Sequence, residues 1–281
     1  NFIQAGERIA AAVRRNLEEQ FDGDLTGLSI LDFGCGSGRA LLPLNAVLPA
    51  TRFTGVDIDD SAIEYLRSQC AGLDLRATRF TPPLPFRDAS FDAVYSISIW
   101  THLCPEDQIP WLRELVRVVK PGGTILLSVS SRTALQRRQA RRDPGWETIS
   151  GDDLSRDGLI FIAYPEAGKD VWRPNVTGPY GLTLHDAAWI RQHFSPLAEV
   201  LDVRVDAIDN CQDLVILRTP GGIARPAARR AVPLPADDPR SEQEKHYRDP
   251  GRINEKFLRN LLLSHDGRYI YTMIPKSGNT T

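Results

Sequence analysis

Apolar positions follow two alternating rhythms through the first half of the chain. Ile9, Val13 and Leu17 recur at four-residue spacing and predict an amphipathic helix over Gln4–Gln20. The run from Leu28 to Cys35 predicts a buried strand, and Arg39–Leu48 the helix after it. Arg52–Ile58 reads as a second strand, and Asp60 as the cap of a helix reaching Ala71. Asp74–Phe80 reads as a third strand, ahead of the Pro-rich "TPPLPF". "FDAVYSISI", Phe91–Ile99, is apolar enough to be buried on both faces. Pro105 opens a further helix, which Pro121-Gly122-Gly123 should terminate before a fifth strand over Thr124–Ser130. Strands alternating with helices of this length predict parallel βαβ units with right-handed crossovers.

The rhythm breaks at Ser131–Gly181, which starts with the Arg-rich "RRQARR" and holds scattered Gly, Pro and Trp. It reads as an insertion or lid over the carboxyl end of the sheet, or as a solvated helix and surface loop. Order returns with "TLHDAAWIRQHF", read as a helix capped by Thr183. Two closely connected strands, Leu197–Val205 and Asp213–Arg218, suit an antiparallel edge. Thr219–Arg240 is rich in Pro, Ala and Gly without a period, and reads as a linker. A short helix over Arg252–Ser264 and a strand at "RYIYTMI" follow. The expected division is 1–219 as one α/β domain, 220–240 as linker and 241–281 as a further piece.

Composition narrows the class. The chain has 281 residues and a formal net charge of −2, so it lacks the basic footprint of a nucleic-acid partner. Its four cysteines are far apart with no CxxC pair. That favours a reducing, cytoplasmic compartment over a disulfide framework or a zinc site, and no metal is expected. No apolar run approaches the roughly 20 residues of a membrane span, and no signal peptide is read at the start.

The chemistry gathers at "ILDFGCGSGRA", Ile30–Ala40. A glycine-rich turn after a strand lets backbone approach a ligand, and the following helix start favours negative charge. The nicotinamide fingerprint G-x-G-x-x-G is not met, because Arg39 stands at its third position and the third glycine is Gly38. Asp32 would repel a pyrophosphate and attract an ammonium group. Asp32, Gly34, Gly36 and Gly38, with Asp57 in "FTGVDID", "LPFRDASFDAVYSISIWTHL" and "LRELVRVVKPGGTILLSV", resemble the motifs of class I S-adenosylmethionine-dependent methyltransferases. The resemblance covers about Gln4–Pro220. It implies a Rossmann-like, doubly wound α/β fold: a mostly parallel seven-stranded sheet with an antiparallel edge strand and a lid insertion after strand five. It further implies S-adenosylmethionine as cofactor and S-adenosylhomocysteine as product. Asp57 is then expected to accept the ribose hydroxyls and Ile58 to lie against adenine, with Cys35 and Ser96 shaping the pocket. Phe80 stands where many members place an acid for the adenine amine, so no side chain is assigned to that contact.

Methyl transfer is an in-line displacement for which a protein aligns the reactants, and a hydroxyl nucleophile also needs a base. His102, just after strand four, and His185, read as lying in the first turn of the late helix, are the candidate bases. Trp100, Trp146 and Trp172 are candidates to line an acceptor site or to pack the core. The segment from Thr183 to Pro220 resembles a bacterial subgroup found with glycan and natural-product pathways. That implies a hydroxyl on a sugar or small metabolite as acceptor. A catalytically silent binding scaffold and a nicotinamide-dependent oxidoreductase are the alternatives; oligomeric state is left open.

"YTMIPKSGNTT" resembles the phosphosulfate loop opening a sulfotransferase domain. Lys276, Ser277, Gly278, Thr280 and Thr281 would hold phosphate there, with Asn279 departing from the usual form. The alternative is an ordinary surface turn. The resemblance implies a downstream sulfotransferase domain in the parent chain, incomplete in these residues.

Overall fold

A computed structural model describes residues 2–70, 72–142, 146–164 and 175–221. The linker and the sulfotransferase-like piece, Lys276–Thr281 included, fall almost wholly outside the described residues, as does Trp172.

Helix α1 (Phe2–Gln20) leads into β1 (Ser29–Phe33), α2 (Leu41–Val47), β2 (Arg52–Asp57), α3 (Asp60–Gln69) and β3 (Asp74–Ala77). Then follow β4 (Phe91–Ser96), α4 (Pro105–Val118), β5 (Val119–Val129), α5 (Arg132–Ala140) and α6 (Gly151–Asp157). The chain continues through β6 (Leu159–Ala163), β7 (Gly181–His185), α7 (Ala187–Phe194), β8 (Glu199–Ile208) and β9 (Gln212–Arg218). Seven strands form one sheet in the order β3-β2-β1-β4-β5-β9-β8, and β6 and β7 form a separate pair. The first five sheet strands run parallel, and β9 is antiparallel to both neighbours. The edge strand β8 pairs antiparallel with β9, as expected, and the strand reversed against the parallel set is β9, one in from the edge. A tight β8–β9 hairpin forces this, because β9 takes the place beside β5 and leaves β8 outside.

Alternation along the strands builds two cores. Ile30, Tyr95, Leu126 and Ile216 pack beneath α1, α2 and α3, where Val13, Leu17, Leu44 and Ile63 meet them. Leu31, Val94, Leu127 and Val215 face α4 and α7 through Trp111, Leu115, Ile190 and Phe194. Each fully buried Leu or Ile stabilises the fold by about 1.5–3 kcal/mol, so both faces are committed and the strand register cannot slip.

Several boundaries differ from the sequence reading. Asp59 rather than Asp60 caps α3, its carboxylate accepting from Ala62 N. Pro121-Gly122-Gly123 does not terminate α4; it lies inside β5, which already starts at Val119. A Cβ on Gly123 would lie 2.6 Å from the Asp92 carbonyl oxygen, so the close approach of β4 requires glycine there. Thr183 is not a helix cap. It lies in β7, paired with Phe161, and Asp186 caps α7 through Ala188 N.

His185 is thereby moved from a helix start to the end of β7, where it is fully buried. Its Nε2–H donates to Gln108 Oε1 at 3.2 Å, and burial pushes its pKa down to about 3. The imidazole is therefore neutral in the fold and charged when unfolded below its ordinary pKa of about 6.5. Stability is fully present above pH 6.5 and is lost as pH falls toward 3, by about 1.4 kcal/mol per unit at the steepest. The raised pKa values of Asp32 and Asp57, described below, act in the opposite sense, so a difference measurement is needed. Urea unfolding at pH 6.5 and 4.5 should find the advantage of wild type over His185→Gln shrinking by more than 1 kcal/mol, on the order expected from that slope.

The insertion after β5 rests on the carboxyl end of the sheet. Leu184 bridges to Ser130, Tyr180 bridges to Leu103, and Asn175 Nδ2 donates to the Ile58 carbonyl after β2. Leu135, Trp146, Leu154, Leu182 and Leu184 give it a small core of its own. No helix among the described residues is long and apolar enough to cross a membrane.

Candidate functional site

Strand β1 has β2 on one side and β4 on the other, so the chain order reverses there and a crevice opens beyond its carboxyl end. The turn after β1 fills that crevice. Gly34, Gly36 and Gly38 have φ of +86°, +51° and +83°, in the left-handed region that suits glycine. Gly34 N and Cys35 N both donate to the Val56 carbonyl, at 2.9 and 3.0 Å, which pins the turn to β2. A Cβ on Gly34 would lie 2.3 Å from Ile99 Cδ1, in the segment following β4. Gly34→Ala is expected to lower stability by about 2 kcal/mol through the unfavourable φ and the overlap, and to displace the turn. Thermal melting of the purified variant against wild type checks this.

Asp57, at the end of β2, closes the turn from the other side. Its Oδ2 accepts from Gly36 N at 2.7 Å and its Oδ1 from Asp59 N at 2.9 Å. Burial pushes its pKa up to about 6 against the backbone N–H groups of Asp59, Gly36 and Ile58, which favour the charged form. A carboxylate offers about four acceptor sites. Two are used by the backbone, and the remaining lone pairs can accept from hydroxyls. Asp32 is only 2% exposed, accepts from Tyr95 Oη at 2.8 Å, and is pushed by burial up to about 8. The buried Cys35 thiol is also pushed upward by burial and nearby carboxylates, so it lines the turn as a neutral group. Ser96 is buried at the end of β4, and its Oγ has no hydrogen-bond partner among the described residues. Ile58 is half-buried beside Asp57.

These residues fit a nucleoside that carries a cation. The turn brings backbone close without side chains, one carboxylate has acceptor capacity to spare, a second buried carboxyl stands beside it, and a buried hydroxyl is unmatched. The structure thus places Asp32 in β1, Gly34, Cys35, Gly36 and Gly38 in the turn after it, Asp57 and Ile58 at the end of β2 and Ser96 at the end of β4, all at the carboxyl ends of neighbouring strands.

The two histidines do not share a site. His185 is enclosed beside Gln108 and Trp189 and cannot meet a substrate. His102 is half-buried, just beyond β4. Its Nδ1–H donates to the Gly181 carbonyl at 2.7 Å, so in the neutral form of the ring the basic lone pair belongs to Nε2. Tyr180 stacks on it at 5.1 Å and 18°, and Tyr164 lies 6.2 Å away. Trp100 is core, edge-on to Phe33 at 6.1 Å. Trp146 is largely buried in the insertion beneath Arg138. Neither lines an open site.

Tyr95, Tyr164, Tyr180 and Asn175 escaped the sequence reading. Tyr95 is the β4 residue directly across from Asp32, a pairing visible only once the register is known. The two tyrosines and Asn175 come from the aperiodic insertion, where no spacing signals what they will meet.

Comparison with known proteins bears on the domain and its fold. Residues 30–123 match the model of a methyltransferase domain. A Mycolicibacterium smegmatis protein named a probable S-adenosylmethionine-dependent methyltransferase is 33% identical over 106 residues, 38% of this chain and 39% of that one. The demethylmenaquinone methyltransferase of Lactococcus lactis is 34% identical over 118 residues, 40% of this chain and 46% of that one. The chain thus spans less than half the length of these curated relatives. Among solved structures, magnesium protoporphyrin IX methyltransferase from Synechocystis, with S-adenosylhomocysteine bound, shares the fold. It has a TM-score of 0.51 and 15% identity, over 78% of this chain and 86% of that one. Residues 30–123 thus match a methyltransferase domain, on a fold shared with S-adenosylmethionine-dependent methyltransferases, and this supports S-adenosylmethionine as the cofactor.

Proposed function

We propose that residues 1–219 transfer a methyl group from S-adenosylmethionine to a hydroxyl of a small-molecule or glycan acceptor, with His102 as the base. The observation that supports this reading is the bond from His102 Nδ1–H, just beyond β4, to the Gly181 carbonyl at the start of β7, which leaves Nε2 as the basic nitrogen of the neutral ring. S-adenosylmethionine supplies the activated methyl group. Asp57 binds the ribose hydroxyls through the lone pairs left by its two backbone bonds. Gly34, Gly36 and Gly38 admit the ligand against the turn, Cys35, Ile58 and Ser96 line the pocket, and Asp32 sits toward the cationic end. His102 takes the hydroxyl proton at Nε2, while Tyr164 and Tyr180 hold the ring from the insertion.

An amine acceptor that is already neutral would need no base. Hydroxyl acceptors should therefore lose turnover on His102 substitution while neutral amines should not. Beyond the domain, the resemblance of residues 275–281 to a phosphosulfate loop supports a sulfotransferase-like segment after residue 240. A longer chain that fails to bind adenosine phosphosulfate would contradict that part alone. For the domain itself, parallel calorimetric titrations with S-adenosylmethionine and NAD are the test. Saturable binding of the first only is expected, and binding of NAD alone would overturn the reading.

A further inference from the structure

The Asp32 carboxyl occupies an unusual position for a group expected to meet a cation. It is 2% exposed, and Tyr95, fully buried, donates to its Oδ2 from the directly opposite position on β4. The other titratable groups that face it are Asp57 from the end of β2, and Cys35 and Arg39 from the turn. Arg39 is itself desolvated, so the favourable charge it offers Asp32 ranks below both burial and the Tyr95 bond. Burial and the second buried carboxyl favour the neutral acid, Tyr95 and Arg39 oppose them, and a further positive charge would add to the opposing side.

We propose that burial keeps the Asp32 carboxyl as a proton-carrying group in the ligand-free turn, that binding of the cationic cofactor drives this proton to solvent, and that Tyr95 is a positioning residue whose bond to Oδ2 eases its departure. The inference rests on the reading that the turn binds S-adenosylmethionine. The step balances simply. The O–H bond of the carboxylic acid breaks, its electron pair stays on Asp32, and buffer takes the proton. The Tyr95 hydroxyl, itself pushed well above its ordinary pKa by burial and by Asp32, remains a donor throughout. Its bond favours the charged carboxylate, so Tyr95 sets the pH at which the proton leaves.

The consequence is measurable without turnover. With Asp32 pushed up to about 8, most of a proton should be released per S-adenosylmethionine bound at pH 7, and the release should fall toward zero at alkaline pH. Calorimetry in two buffers of different ionisation enthalpy reads this number directly. Asp32→Asn should abolish most of the release, with any remainder coming from Asp57 and the ligand's own amine. Tyr95→Phe should move the midpoint of the release profile to higher pH, a shift that mere loosening of the core would not produce. Its melting temperature is recorded alongside. Tight binding without proton release at pH 7 overturns the inference and leaves the functional reading standing. So does an unchanged midpoint in a folded Tyr95→Phe. Absence of S-adenosylmethionine binding overturns both.

Discussion

Asp57→Asn is expected to weaken S-adenosylmethionine binding at least about a hundredfold. The carboxylate accepts from Gly36 N and Asp59 N and still has lone pairs for hydroxyls. Hydrogen bonds to a charged acceptor contribute ~1.5–3 kcal/mol each. An amide has one oxygen, so it can satisfy only one of the two N–H groups while its NH₂ opposes the other. Losing two ribose contacts removes ~3 kcal/mol or more, which corresponds to a factor of about a hundred or greater in Kd. The fold should survive, because neutralising a carboxyl whose pKa burial has already raised to about 6 relieves a desolvation cost. Titration calorimetry on a variant whose melting stays close to wild type is the check. Affinity within threefold of wild type would remove Asp57 from the cofactor site.

His102→Asn should lower kcat toward a hydroxyl acceptor by about 10²–10⁴, the range ascribed to a positioned general base, with cofactor affinity unchanged. Asparagine is chosen because its amide can still donate toward the Gly181 carbonyl that now receives Nδ1–H. The variant keeps the anchor and loses the acceptor at Nε2. More acidic hydroxyls should suffer less, since they need less help to lose the proton. Steady-state rates across acceptors of graded acidity test this, and an equal loss for every acceptor would point to a positional role instead.

The sequence was most legible where one local constraint dominates. Alternate glycines between an acid and an apolar helix announced the turn, and the structure confirms the left-handed backbone at all three. Asp57 was legible because it ends a short strand whose length is set by apolar residues. The late helix start was misread because Thr183 and Asp186 are equally good caps by composition. Pairing of Thr183 with Phe161 in β6 decided between them, and that partner lies more than twenty residues away. The same pairing turned His185 inward. Tyr95 looked like one apolar position among several in β4, and its role depends on which β1 residue it faces. Tyr164, Tyr180 and Gly181 converge on His102 only because the insertion folds back over β4, which no period in the chain encodes.

The central claim is that this domain moves a methyl group to oxygen. Incubating the protein with methyl-labelled S-adenosylmethionine and a panel of sugar and small-metabolite hydroxyls, then locating the label by mass spectrometry, tests it most directly. The account predicts label on an oxygen of at least one acceptor, strongly reduced in Asp57→Asn at limiting cofactor and in His102→Asn at any cofactor concentration. Saturable cofactor binding with no methyl transferred to any acceptor, or label found on nitrogen or carbon alone, would contradict it.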